Sequence, residues 1–290
     1  MSDERTSTID ETVRQVQEMQ TQSASIVAVK AAKALRELTE REYRTVDEFF
    51  RALERNSSAL QRANRSHAPL HTTQQRIVND VTDADPGTVD AAKEMLLDVI
   101  DDVVSKVESS KEQAGSNAAS LVDDGDVVLT HENSSTVMAT LQHALGDGKS
   151  FELYVTESRP RFLGRRTARN LAGNESVDVT LIVDGAAGHF LRECDRVLVG
   201  MNCLIDDTVY NRVGTYPIAA TADDIGVPVT VVGASAKFIG RGFTFENDYR
   251  LASEVQREPA DGYDIVNPGY DATPTRLVDN VVTEDGVIQF

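Results

Sequence analysis

The stretch from Asp195 to Lys237 constrains the chain most. Residues 196–199 and 229–232 are short apolar runs rich in β-branched side chains, and residues 215–225 between them carry a helical pattern. Two such runs joined by a helix make a parallel βαβ unit, because parallel strands need a crossover and a helix supplies it. Sheets of this kind bind ligands just past the carboxyl ends of their strands. Polar side chains stand there: Asn202 follows the first run and Lys237 the second, with Asn211 and Arg212 in the connecting loop. That placement points to a small anionic ligand.

Patterning on either side of this unit divides the chain in two. Ile9, Val13, Val16 and Met19 repeat every three to four residues, as do Val46, Phe49, Phe50 and Leu53, and later Ala92, Met95, Val99, Val103 and Val107. Stripes of that period pack helix on helix. Asp85, Pro86 and Gly87 interrupt the series, and Thr88 is placed to cap the next helix. Residues 109–120 read as a solvated linker. Beyond Asp126 the period changes. Residues 127–129, 151–155, 177–183, 197–199 and 229–232 are strand-like, with helical segments between them. Strand and helix in alternation predict a doubly wound parallel sheet covered on both faces. The expected organisation is therefore α/β, with a helical N-terminal domain over residues 1–115 followed by a Rossmann-like doubly wound parallel-sheet domain over 116–290. Near the end, Thr273 and Pro274 carry a helix-start signal, which predicts a helix over 274–281 and a last strand over 286–289.

Charge restricts the partners. Acidic residues number 47 against 29 basic ones, a formal charge of −18, and 22 of the basic residues are Arg. A surface this acidic disfavours direct nucleic-acid binding. It suits a halophilic cytoplasm, where screening weakens self-repulsion. The only cysteines, Cys194 and Cys203, flank the strand around Leu198 and read as small buried hydrophobes in a reducing compartment. No apolar run approaches the roughly 20 residues that span a bilayer. Of the five His residues, only His67 and His71 have a metal-like spacing, and that pair falls in a Pro-containing turn, so neither metal nor cofactor is expected.

Arginines cluster after the strand at 151–155: Arg159 within Thr-Glu-Ser-Arg-Pro, then Gly164, Arg165 and Arg166. Planar guanidinium forks suit phosphate, although any one of these arginines serves equally well in a surface ion pair. Glu132 follows the strand at 127–129 in Leu-Thr-His-Glu-Asn-Ser, and Ser134 and Ser135 are placed to cap the helix behind it. Taken in order, Leu-Thr-His, Tyr-Val-Thr-Glu-Ser-Arg-Pro with Gly-Arg-Arg, Val-Asp-Gly-Ala-Ala-Gly-His, Val-Leu-Val-Gly, Asn-Arg-Val-Gly-Thr-Tyr and Asn-Pro-Gly-Tyr-Asp-Ala-Thr-Pro resemble one family. It is that of the regulatory alpha, beta and delta subunits of translation initiation factor 2B, which also contains ribose-1,5-bisphosphate and methylthioribose-1-phosphate isomerases.

The resemblance implies a Rossmann-like half that pairs with a second copy. It implies for the isomerases a cysteine and an aspartate working as an acid–base pair. Here those positions hold Glu132 and Asn202, and an amide exchanges no proton near neutral pH. The implied ligand-binding positions are Arg159, Asn211, Arg212 and Lys237. The family's Arg-Gly-Ala-Gly loop would fall near residues 26–29, Ile-Val-Ala-Val, which lack its Arg and its glycines; Arg65 is the candidate to replace part of it. The expectation is a non-catalytic, archaeal-type regulatory member: a homodimer or higher oligomer with a translation factor or other protein as partner, and a remnant pocket for a phosphate-bearing small molecule. The alternative is an aldose–ketose isomerase using Glu132 as base.

Overall fold

A computed structural model describes residues 7–18, 24–64, 67–240, 245–259 and 261–290. Met19 and Arg65 lie outside them. The chain forms two compact units, residues 1–109 and 110–290.

The first unit is helical: α1 (Thr8–Glu18), α2 (Ala24–Ala34), α3 (Val46–Ala63), α4 (Ala68–Asp83) and the first two-thirds of α5 (Val89–Ala119). The apolar stripes meet inside it. Ile9, Val16, Phe49, Leu53, Ala92, Val103 and Val107 are buried in one core, with Val13, Val46, Phe50, Met95 and Val99 packed at its edge. Full burial of such side chains contributes roughly 1.5–3 kcal/mol each. Thr45 caps α3 through Glu48 N, and Thr88 accepts from Ala91 N at 3.2 Å. α4 begins immediately after His67, so His71 sits in its first turn rather than in an open turn. The solvated linker expected over 109–120 is helix: α5 continues to Ala119 because Ala114 and Ala118 are fully buried against the second unit's own core. At Gly115 a Cβ would stand 2.6 Å from that of Ala139.

The second unit is built on a seven-stranded sheet. In chain order its elements are β1 (Val127–His131), α6 (Ser135–Gly146), β2 (Phe151–Thr156), α7 (Gly164–Leu171), β3 (Val177–Ile182), α8 (Ala187–Phe190), β4 (Arg196–Gly200), β5 (Cys203–Ile205), β6 (Thr208–Arg212), α9 (Thr215–Ile225), β7 (Val229–Val232), β8 (Phe238–Ile239), α10 (Ala252–Val255), β9 (Tyr270–Pro274), β10 (Asn280–Thr283) and β11 (Gly286–Gln289). The large sheet has the order β11-β10-β7-β4-β1-β2-β3 and is parallel except for the β10–β11 hairpin. Alternate residues serve opposite faces, as the pleat requires. Val128, Leu198, Val232 and Val282 pack with the end of α5 and with α6, whereas Leu129, Val197, Val199, Val231 and Val281 pack with α8 and α9.

Two sequence expectations fail here. The helix expected over 274–281 is absent: β9 ends at Pro274, a single 3-10 turn follows, and residues 280–283 form β10. Pro274 closes a strand, where its missing N–H costs no ladder bond, and Val281 and Val282 are fully buried against β7. Asn211 and Arg212 also lie on a strand rather than in a loop. β5 and β6 form a hairpin across Asp206 and Asp207, with Asp206 at φ +48°, and join β8 and β9 in a second sheet of order β8-β5-β6-β9. No described helix is long and apolar enough to cross a membrane.

Candidate functional site

Strand order locates the site. The chain runs outward from β1 through β2 to β3, then returns to β4 on the other side of β1. The crevice between β1 and β4 is the switch point where open α/β sheets receive ligands. Glu132 follows β1 and Asn202 follows β4, so the two positions assigned to the isomerases' acid–base pair flank that crevice.

The β1 end is rigidly held. His131 is 1% exposed, with Nδ1 2.6 Å from the Thr156 hydroxyl and Nε2 3.0 Å from the Val213 carbonyl. A carbonyl only accepts, so Nε2 carries the proton. Gly214, at φ +112°, lets the chain pass this ring: a Cβ there would meet it at 2.8 Å. Glu132 itself adopts φ +65°, its carbonyl accepts from the Thr167 hydroxyl at 2.7 Å, and Asn133 donates to that same hydroxyl at 2.9 Å. Ser134 caps α6 through Val137 N at 3.4 Å. Gly164 starts α7 so close to β2 that a Cβ would lie 1.8 Å from the Thr156 carbonyl oxygen.

The Glu132 carboxylate is nearly buried and faces cations. Its Oε2 stands 3.7 Å from Arg212 Nε, an ion pair rather than a hydrogen bond, with the two side chains 11% and 20% exposed. Burial alone lowers the Arg212 guanidinium's pKa, but Tyr270, Glu132 and Asp248 outweigh it and the net direction is upward. The Arg212 guanidinium lies 4.8 Å from the Tyr270 ring centre. Its Nη1 is buried without a hydrogen-bond partner among the described residues. Lys237 donates to the Met201 carbonyl at 2.6 Å. Although part of its stem is accessible, desolvation of the ammonium pushes its pKa down to about 8, against the opposing pull of Glu132 and Cys203. Asn202 is buried beside this lysine's strand end, its N–H donating to Tyr210 O at 2.8 Å. Asn211 donates to the Thr215 hydroxyl at 3.0 Å. Burial pushes both thiols, Cys194 and Cys203, up to about 12, so neither supplies a thiolate near neutral pH.

Of the four residues assigned to ligand binding, two share a pocket. Arg159 and Arg212 line a pocket with Arg161, Arg250, Ser158 and Asn267; Asn211 and Lys237 are not part of its wall. Arg165 makes the surface ion pair that was its alternative reading, 2.7 Å from Glu157. The sequence reading passed over three residues. Arg161 lies in the same Arg-Pro-Arg run as Arg159, a usable signal. Arg250 belongs to a segment without periodicity and gave none. Asp271 accepts from Gly214 N at 2.7 Å and Tyr216 N at 3.0 Å, anchoring the start of α9. Its carboxyl is shifted upward by burial, with those two amides pulling the other way. Among the described residues no cluster of His, Cys, Asp and Glu is suited to hold a metal.

Residues 20–290 match the profile of the initiation factor 2 subunit family. The chain belongs to that family. It is 31% identical to the ribose 1,5-bisphosphate isomerase of Haloferax volcanii over 95% of its own length and 87% of the relative's. Its fold matches the solved structure of the Pyrococcus horikoshii translation initiation factor eIF-2B with a TM-score of 0.80 and 26% identity, over 97% of this chain and 96% of that one. The tetrameric eIF2B-beta2-delta2 complex of C. thermophilum shares the fold at a TM-score of 0.76 and 19% identity, over 97% of this chain and 90% of that one. The family thus includes isomerases and initiation-factor proteins.

Proposed function

We propose that this chain is a regulatory, non-catalytic member of the initiation factor 2 subunit family, whose isomerase-type site is closed by an internal counter-ion. Glu132 is the observation that carries the reading. Where the isomerases are expected to hold a thiol, a nearly buried carboxylate balances Arg212 and lies within electrostatic reach of Lys237. Moving a proton between two sugar carbons requires an acid and a base at hand. Asn202 offers neither, and a carboxylate already paired with Arg212 leaves little room or charge for a phosphate. In this reading the chain works by assembly, with a second copy and with a translation factor or other protein. The tail contributes to the interface: on edge strand β11 and the residue after it, Val287, Ile288 and Phe290 are exposed, while Val281 and Val282 belong to the core.

The second reading is an aldose–ketose isomerase of a sugar phosphate, favoured by the similarity to the Haloferax volcanii enzyme across nearly the whole chain. Glu132 would then be its base. Phosphate calorimetry at low salt separates the two. Under the counter-ion reading, Glu132→Ala gains a phosphate-binding component that wild type lacks and that Lys237→Gln removes. If wild type already has that component and Glu132→Ala weakens it, Glu132 is a ligand contact and the counter-ion reading fails.

A further inference from the structure

We propose that the helical unit carries a binding site of its own, between α3 and α4, for a small neutral polyhydroxylated molecule: a sugar or an open-chain polyol. The site draws only on residues 54–79, so the inference does not depend on whether the crevice at Glu132 is catalytic.

The core of the helix pair is apolar, with Leu53 and Leu60 of α3 and Leu70 and Ile77 of α4 fully buried. One stretch beside it is polar. Ser57, Ser58 and Gln61 follow one another at helical spacing along α3, as His71, Gln75 and Asn79 do along α4, so each set shares a face of its helix. Together they line a cavity of about 210 Å³. A water takes roughly 30 Å³ in the liquid, so the space suits a small organic molecule and far exceeds what a lone ion needs.

Two observations point to a guest. The Ser58, Gln61, Gln75 and Asn79 side chains spend no hydrogen bond on any described residue, which leaves their donors and acceptors to whatever fills the cavity. Gln74, next to Gln75 in the chain, is fully buried, and neither Oε1 nor Nε2 of its amide has a hydrogen-bond partner among the described residues. Its backbone carbonyl accepts from the Ser57 hydroxyl at 3.4 Å, and Ser57, itself part of the cavity wall, is 1% exposed. The polar stretch therefore reaches inward to an amide whose hydrogen bonds are unmade. Buried amides are rarely left so, because each missing bond costs the full desolvation of its group.

The lining selects the class of guest. Among the described residues it includes no Lys or Arg but does include Glu54, and the chain carries a charge of −18, so an anion is disfavoured. One carboxylate is too few for a hard cation, and the described residues hold no metal-binding cluster. Amides and hydroxyls both donate and accept, which is the complement that neighbouring hydroxyls of a polyol present. Burial lowers the His71 pKa, so its ring is neutral at pH 7 and, with Val78, gives the wall apolar surface for the C–H groups between those hydroxyls.

Amide NMR of the isotope-labelled full chain tests the site by titration with D-glucose, sorbitol and glucose 6-phosphate into the millimolar range. The readout is the side-chain amide of Gln61 and the backbone amides of Ser57 and Ser58. Saturable shifts of these signals are expected with D-glucose or sorbitol, and the tighter of the two tells a ring from an open chain. Glucose 6-phosphate should bind more weakly than D-glucose. Gln75→Ala combined with Asn79→Ala, at exposed positions where alanine favours the helix, should weaken binding about tenfold or more, and Lys237→Gln should leave it unchanged. Signals that stay still, or drift without saturating, overturn the proposal. So does binding that survives the double variant, and so does a preference for the phosphate ester.

Discussion

Replacing Glu132 with Ala removes the carboxylate that faces Arg212 and Lys237, and the two cations respond differently. Lys237, already displaced to about 8, loses a neighbour that favoured its charge and sheds its proton more easily near neutrality. Arg212 cannot do so. Its pair with Glu132 at 3.7 Å corresponds to about 4 kcal/mol of Coulomb attraction at an effective dielectric near 20. The side chains are 20% and 11% exposed, so water recovers part of that. Breaking a buried pair from one side typically costs about 3–5 kcal/mol, and the lower end, about 3 kcal/mol, is expected here. For a unit spanning residues 110–290 that is a fall in Tm of roughly 6–12 °C. Thermal unfolding by circular dichroism at pH 7 and low salt, on wild type, Glu132→Ala and Glu132→Gln, measures it. Both variants should lose stability, and phosphate should restore more of it to Glu132→Ala, which has the room for it. A Glu132→Ala protein within about 2 °C of wild type that is indifferent to phosphate would refute the counter-ion role.

Other tests address the frame around the site. Gly214→Ala puts a Cβ 2.8 Å from the His131 ring at φ +112°; a loss of about 2–3 kcal/mol is expected by urea denaturation, and a change under 1 kcal/mol would show that the ring is not fixed there. Lys237 titrates at about 8 when folded and near 10.5 when unfolded, so the unfolded chain holds the extra proton and stability should rise with pH through this window. The thiols, raised from 9 to about 12, oppose that rise above pH 9. Unfolding midpoints between about pH 8 and 9 should therefore climb in wild type and stay flat in Lys237→Met; a wild-type midpoint that falls over this interval contradicts the buried ammonium. Ile288→Glu combined with Phe290→Glu should leave a folded monomer by light scattering if the tail lies at an interface, and an unchanged oligomer would remove it from there. With a net charge of −18, Tm should climb as KCl is raised from about 0.1 to 2 M; a salt-independent Tm would contradict a surface adapted to high salt.

How much could be read from the sequence followed the strength of local periodicity. The central strands β1, β4 and β7 were legible because each is an apolar run rich in β-branched residues and buried on both faces, and the helices α1, α3 and α5 because their apolar stripes repeat every three to four residues. The linker reading failed where Ser109, Ser110 and Ser116 looked solvated, although Ala114 and Ala118 in the same stretch pack under β1 and β2. Thr273 and Pro274 carry a helix-start signal that tertiary pairing with β6 overrides, whereas Asn-Val-Val-Thr at 280–283 was a strand signal available and unread. The β5–β6 hairpin escaped because its strand is three residues long and its Asp-Asp turn is not one of the strong hairpin dipeptides. At the site, each residue named from sequence lies at a strand end or on the hairpin behind it. The arginine-lined pocket was illegible, because Arg250 enters from a segment without regular structure and only the folded chain brings it to the same wall as Arg212.

Turnover of ribose 1,5-bisphosphate by the purified full-length protein at high and low salt tests the central claim most directly. Glu132 is paired with Arg212, and Asn202 has no proton to give, so the account predicts no product above the uncatalysed background in wild type or in Glu132→Gln. Turnover by wild type that Glu132→Gln abolishes would contradict it and make Glu132 the base of an active isomerase.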